Sequence, residues 1–161
     1  MEKLVVNNDS FFEEVIALLR EGKKVTIPAK GESMLPFIVG DVDSVVLEGV
    51  DGGTPEGSAL RTANVGDAVL FRSDGRFILH RIIYKDNDHA LCEIQGDGIL
   101  RAKDLCCCDQ IYGRVTTVLK GGDTPVDVDS PSYRRKVWLW MNTVPFRRLL
   151  LGVWKRLLWK M

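Results

Sequence analysis

The chain has 161 residues, of which 45% are hydrophobic and 27% are charged. This length suits one domain with its own core, and the composition excludes collagen-like and intrinsically disordered chains. The net charge is zero, but residues 131–161 contain eight Lys or Arg, all four Trp, and no Asp or Glu. This segregation predicts a compact acidic domain followed by a separate interaction segment.

The cysteines and the first residues of the chain are not those typical of a secreted protein. Cys92 and the run at 106–108 have neither the spacing of a disulfide framework nor that of a zinc site. We therefore expect reduced, partly buried thiols, with no metal and no other cofactor. Residues 1–10 do not have the pattern of a signal peptide, and no apolar run reaches the roughly 18–20 residues that span a bilayer.

In chain order, the first predicted element is a helix at Ser10–Leu19, with a capping box of Ser10 and Glu13 and with Gly22 closing its end. Short strands separated by Gly and Asp turns follow it, and residues 51–64 read as a loop. The predicted strands are residues 24–29, 43–50, 67–72, 76–84, 90–95 and 110–119. The sequence therefore predicts a mainly β, barrel-like domain at 25–120, with the helix of residues 1–24 packed as part of the same domain. A linker at 121–131 and a tail at 132–161 are expected to follow.

A lone serine in the turn "GESMLP", Ser33, is a candidate nucleophile if a base lies close to it. Only two histidines are present. His89 lies in the polar turn "KDNDHA", whereas His80 lies inside the apolar strand "FILHRII", where an unpaired imidazole is costly to bury. By itself, a histidine in such a strand is more typical of a core residue with a hydrogen-bond partner than of a catalyst.

Four motifs change this interpretation when they are taken together. In order, they are "GESMLP" at 31–36, "VGDAVLFR" at 65–72, "ILHRII" at 78–83, and "QGDG" at 95–98 followed by "YGRV" at 112–115. Their order and spacing resemble the S24/S26 serine peptidases, which include signal peptidases and self-cleaving SOS-type repressors. The resemblance covers residues 25–118 and implies the β-barrel-like domain of that family. Because His80 precedes Arg81, the chain is similar to the archaeal and endoplasmic-reticulum subtype, which uses a Ser/His pair.

The resemblance implies that Ser33 attacks the scissile carbonyl and that His80 accepts its proton. For the carboxylate that supports His80, the family pattern favours Asp104. Asp97 is the second candidate, with bracing of its own turn as its alternative role, and both could also be ordinary surface residues. Met34 and Pro36 are expected beside a groove where an extended peptide adds to a strand edge.

Two features depart from the signal-peptidase pattern. Gly31 occupies a position where signal peptidases often carry a serine, so we expect an oxyanion hole of backbone amides, including that of Ser33. The usual N-terminal membrane anchor is also missing, and an amphipathic helix stands in its place.

The tail predicts a basic amphipathic helix capped by Asn142 or Thr143, with Pro145 in its first turn. Arg148, Gly152 and Lys155 face away from its apolar side. That side comprises Phe146, Leu149, Leu150, Val153, Trp154, Leu157 and Leu158. This pattern favours a helix that lies on a membrane surface, with packing against protein as the alternative and nucleic acid not expected. We therefore expect a cytoplasmic protein that is peripheral on the inner face of the membrane.

The function that these observations predict is a signal-peptidase-like serine endopeptidase that cleaves a peptide or leader segment near a membrane. Two alternatives remain open: a non-catalytic peptide-binding module of the same fold, and a regulatory protein that cleaves itself.

Overall fold

The computed structural model describes residues 8–50, 63–143 and 146–160. Most of the predicted loop at 51–64, and Pro145, lie outside the described residues. The helices are α1 (Asn8–Arg20), α2 (Pro131–Met141) and α3 (Arg147–Trp159). The strands are β1 (Val25–Pro28), β2 (Ser44–Gly49), β3 (Ala68–Ser73), β4 (Arg76–Asp86), β5 (Leu91–Gln95), β6 (Asp104–Cys107), β7 (Ile111–Lys120) and β8 (Thr124–Asp127).

The eight strands of the described residues form one antiparallel sheet, with the order β1-β2-β7-β3-β4-β5-β6 and with β8 paired to β7. The sheet curls into a half-barrel, and this curl brings β6 into contact with β3 although two strands separate them in the sheet. The prediction of a mainly β, barrel-like domain with helices near both ends is confirmed at this level.

The predicted N-terminal helix is present as α1, which begins two residues earlier than expected. Val15, Ile16 and Leu19 form its buried face. Gly22 ends the helix with a φ of 79°, a left-handed conformation that glycine adopts without strain, and its N–H donates to the Leu19 carbonyl.

The two larger parts of the hydrophobic core meet at β3. Leu70 packs with the residues under α1 and α2, whereas its neighbours Val69 and Phe71 pack on the other face of the strand, with Ile82 and Ile94. Because successive side chains of a strand point to opposite faces, a strand buried on both sides has a continuous apolar run. This explains why β3 was readily predicted.

Two strands were not predicted. β6 is a short edge strand in which Cys106 is buried and its neighbours Leu105 and Cys107 are exposed. β8 lies within the predicted linker at 121–131, which the structure instead shows paired with β7 from Thr117 to Lys120. Backbone pairing forms β8, because its side chains are mostly exposed and give little hydrophobic signal.

The first part of the predicted tail, α2, is part of the domain. Ser130 caps it, Pro131 occupies its first turn, and Tyr133, Val137 and Trp140 are buried on one face. Residues 132–161 are therefore not a separate segment as predicted. The basic residues of this segment draw attention away from the apolar residues of α2, which recur at i, i+4 and i+7 and pack on the sheet.

The predicted amphipathic helix of the tail is α3, but the side that it buries differs from the predicted apolar side. Leu151, which was not on the predicted side, is buried and packs with Trp140 of α2 and with Leu35. Among the described residues, none of the helices combines the length and the hydropathy that a membrane span requires.

A pair of tryptophans on α2 tests whether this helix stabilises the domain. Trp140 is buried and its indole N–H donates to the Asp97 carbonyl, whereas Trp138 is 62% exposed. Trp140→Ala should lower the free energy of unfolding by about 3–5 kcal/mol, since it leaves a large cavity. Trp138→Ala should change it by less than about 0.5 kcal/mol. Urea denaturation measures both, and equal, small effects would mean that the helix does not contribute to the fold.

Candidate active site

Ser33 lies in a tight turn between β1 and β2. Met34, Leu35 and Ile38 are buried beneath this turn, and the Ile38 N–H donates to the Met34 carbonyl over 3.0 Å. Gly31 enters the turn with a φ of 74°, which glycine allows. The buried residues hold the turn in place while Ser33 itself stays half-exposed.

The loop after β5 supports the serine turn through two glycines. The N–H of Gly98 donates to the Ser33 carbonyl over 2.8 Å. A Cβ atom at Gly96 would overlap the Ser33 carbonyl oxygen and would lie 3.1 Å from Nε2 of His80. The carbonyl of Ser33 and the imidazole therefore flank the same point, and only glycine fits between them.

His80 is a buried residue of β4, and its two ring nitrogens have different surroundings. Nε2 faces Gly96 and the serine turn, while Nδ1 lies 3.6 Å from Oδ2 of Asp104. That separation is a charge contact slightly longer than a hydrogen bond. Burial lowers the pKa of His80 below its ordinary value of 6.5, and the charge of Asp104 acts in the opposite direction.

Asp104 begins β6 and reaches His80 because the sheet curls. Its other carboxylate oxygen accepts a hydrogen bond from the Ser73 hydroxyl, at the end of β3, over 3.3 Å. The Asp104 carboxylate is partly exposed, so water still solvates it although it lies beside a buried imidazole.

Asp97 has a different partner. Its carboxylate receives two hydrogen bonds from the Arg81 guanidinium, over 2.8 and 2.7 Å, and both side chains are almost fully buried. Burial by itself lowers the pKa of Arg81, but the adjacent carboxylate raises it above its ordinary value. Asp97 thus braces its loop through an arginine rather than through backbone amides.

The structure brings Ser33, His80 and Asp104 into one region, with the imidazole in the middle. Among the hydrogen bonds of the described residues, none joins the Ser33 hydroxyl to His80, and the Ser33 N–H donates to no acceptor. The hydroxyl and the amide of Ser33 are therefore both without a hydrogen-bond partner among the described residues.

A groove of about 210 Å³ adjoins the serine turn. Ser33 and Met34 belong to its wall, whereas Pro36 does not. The rest of the wall is mostly apolar and includes Phe12, Ile27, Leu70, Phe77 and Leu79. β1 also contributes to the wall, and it stands at the end of the strand order, so among the described strands its outer edge has no partner.

Two of the four cysteines are poor competitors for the role of nucleophile. Burial raises the pKa of Cys92 and of Cys106 to about 12, so both are protonated at neutral pH. The thiols of Cys92 and Cys108 form a hydrogen bond over 3.6 Å rather than a disulfide.

Sequence reasoning missed several residues that build this site. Gly96 was noted only as part of a motif, and its closeness to both Ser33 and His80 needs coordinates. Arg81 follows His80 in an apolar strand, where a charged side chain needs a partner, and this was a usable signal for an ion pair. The contacts of Ser73 and Trp140 with the two aspartates had no signal in the sequence.

Comparisons with family models, with curated proteins and with solved structures found no match to this chain. The resemblance to S24/S26 peptidases therefore still depends on the four motifs.

The surroundings of His80 predict how its titration responds to substitution. Its pKa should lie below 6.5, so the neutral imidazole persists below that pH. The negative charge of Asp104 favours the protonated ring. Asp104→Asn removes this charge and should therefore lower the pKa of His80 further. Asp109→Asn, on the exposed surface beside β6, should leave it unchanged. NMR titration of the His80 ring measures this, and an unchanged or raised pKa in Asp104→Asn would contradict the geometry.

Proposed function

We propose that the chain is a serine endopeptidase in which Ser33 is the nucleophile, His80 the general base and Asp104 the residue that supports the base. One observation carries the proposal: a buried histidine has a carboxylate at Nδ1 and the serine turn at Nε2. With the Ser33 hydroxyl turned toward Nε2, this arrangement converts a weak hydroxyl into a nucleophile.

The chemistry follows from these positions. The Ser33 oxygen bonds to the scissile carbonyl carbon while Nε2 of His80 takes the hydroxyl proton. The resulting oxyanion is stabilised by backbone amides, with the unengaged N–H of Ser33 as the first candidate. The carbon–nitrogen bond then breaks, and His80 delivers the proton to the leaving amine. Water releases the acyl group from Ser33 by the same steps, and Asp104 stabilises the charged imidazole in both halves.

The absence of a hydrogen bond between Ser33 and His80 in the described structure is compatible with this role. Catalytic hydrogen bonds are often long or misaligned without substrate and shorten when it binds. The Ser33 side chain has one rotatable bond to its hydroxyl, so a change of rotamer is enough to redirect the oxygen.

The substrate that best fits the site is an extended peptide with an apolar side chain. The free edge of β1 offers backbone hydrogen bonds to such a peptide, and the groove beside it has a mostly apolar wall. Met34 contributes to binding through this wall, while Pro36 contributes by shaping the turn.

A second candidate function is a peptide-binding module without catalysis. The observation that favours it is the same missing hydrogen bond between Ser33 and His80. Both functions use the β1 edge and the groove, and they differ in whether the bound peptide is cut.

Cleavage of a diverse peptide library, read by mass spectrometry of new termini, distinguishes the two. The intact chain should generate new termini, and Ser33→Ala should reduce their rate of formation by about 10⁴-fold or more. Asp104→Asn should reduce it while leaving peptide binding in place, because the base loses its support. Ser132→Ala, an exposed serine on α2, serves as the matched control and should behave as the unsubstituted chain.

If the chain binds library peptides but yields no new termini, the binding module is the correct function. If Ser33→Ala cleaves as fast as the Ser132→Ala control, the proposed nucleophile is wrong.

A further inference from the structure

The outer side of α3 carries an apolar stripe that is largely exposed in the described structure. It consists of Phe146, Leu149, Leu150, Val153 and Leu157, each between 43% and 69% exposed. Their spacing places them along one line of the helix. We call these five residues the outer stripe. Exposed apolar side chains aligned in this way indicate a binding surface more strongly than scattered ones do.

Other residues of α3 make its contacts with the rest of the domain. Arg147 and Leu151 are buried, and Trp154 and Leu158 pack partly against Leu35 and its neighbours. The helix therefore has two apolar sides, of which only one is needed for folding. The outer stripe needs a separate explanation.

The charges beside the outer stripe identify what it fits. Arg148 and Arg156 line a shallow surface groove together with Leu149 and Val153 of the stripe. Residues 131–161 contain no acidic side chain to neutralise them. Lys155 on the remaining side pairs with Glu32 over 3.0 Å. Cations therefore lie directly next to an exposed apolar line.

We propose that the outer stripe binds the surface of an anionic lipid bilayer, with α3 lying parallel to the membrane plane. Apolar side chains then enter the boundary between headgroups and acyl chains, while the arginines meet the anionic headgroups. Each basic side chain near such a surface contributes about 1 kcal/mol. A second copy of the chain that paired through its own outer stripe would bring the arginines of two helices together, and like charges repel, which is why the anionic lipid surface fits better.

This surface lies close to the candidate active site. The inner side of α3 packs on Leu35, two residues after Ser33, and Lys155 pairs with Glu32, immediately before it. A helix with its side chains is about 10–12 Å across. Lipid binding would therefore hold the serine turn about one helix diameter from the membrane. That the substrates are peptides at the bilayer surface rests on the proposed function, whereas lipid binding does not.

The test is sedimentation of the full chain with vesicles of phosphatidylcholine alone or with one quarter phosphatidylglycerol. The unsubstituted chain should bind the anionic vesicles at least tenfold more tightly than the neutral ones. The double variant Leu149→Glu/Val153→Glu should lose at least tenfold of that binding. Val42→Glu/Val65→Glu, which places the same two charges at exposed valines elsewhere, is the matched control and should bind as the unsubstituted chain does.

A second variant separates charge from folding. Arg148→Gln/Arg156→Gln keeps the apolar stripe intact and should weaken binding to anionic vesicles alone. Removing the chain after Ser130 is a poor test, because it also deletes the buried face of α2. Point substitutions avoid this problem, and thermal unfolding checks each variant.

Three results would overturn the proposal. The first is equal binding to neutral and anionic vesicles, and the second is unchanged vesicle binding by Leu149→Glu/Val153→Glu. The third is a chain that binds no vesicles but self-associates, with the self-association lost in Leu149→Glu/Val153→Glu. Ser33→Ala should bind vesicles normally, so a failure of the peptidase proposal and a failure of lipid binding give different results.

Discussion

The buried ion pair between Arg81 and Asp97 is the constraint on which the candidate site depends. Both side chains are 2–3% exposed, and two hydrogen bonds join them. Breaking such a pair by removing one partner typically costs about 3–5 kcal/mol. The pair fixes the loop after β5 against β4, and this loop carries the two glycines that contact the serine turn. Trp140 of α2 binds the same loop through the Asp97 carbonyl, so the ion pair also links the C-terminal helices to the site.

Strand alternation explains how neighbouring residues of β4 serve two purposes. Successive side chains of a strand point to opposite faces, so Arg81 is directed to Asp97 and His80 to Asp104 and the serine turn. The register pairs Arg81 with Gln95, and Gly96 follows next to His80. The two aspartates, seven residues apart, are thereby assigned to different partners. Asp97 braces the loop, and the proposed support of the imidazole falls to Asp104.

Most of the fold could be predicted from the sequence, and less of the candidate site could. Strand β3 and helix α1 were predictable because their buried apolar side chains form, respectively, a continuous run and a set with helical spacing. These residues lie within Val69 to Phe71 and Val15 to Leu19. β8 and β6 could not be read in this way, since backbone pairing at exposed positions leaves no such pattern. The basic charge of residues 131–161 concealed the buried stripe of Tyr133, Val137 and Trp140. Motif order suggested Ser33 and His80 and favoured Asp104 over Asp97, but the position of Asp104 beside His80 depends on the curl of the sheet, which the sequence does not reveal.

The most direct test of this account is the distance between Oγ of Ser33 and Nε2 of His80 in a crystal structure with a peptide boronic acid. The account predicts a bond from Oγ to boron, with Nε2 within about 3.2 Å of an oxygen on the tetrahedral boron or of Oγ itself. It also predicts that Nδ1 remains beside Asp104. A boronic acid bound in the groove without a bond to Ser33, with the imidazole turned away from the serine, would contradict the account.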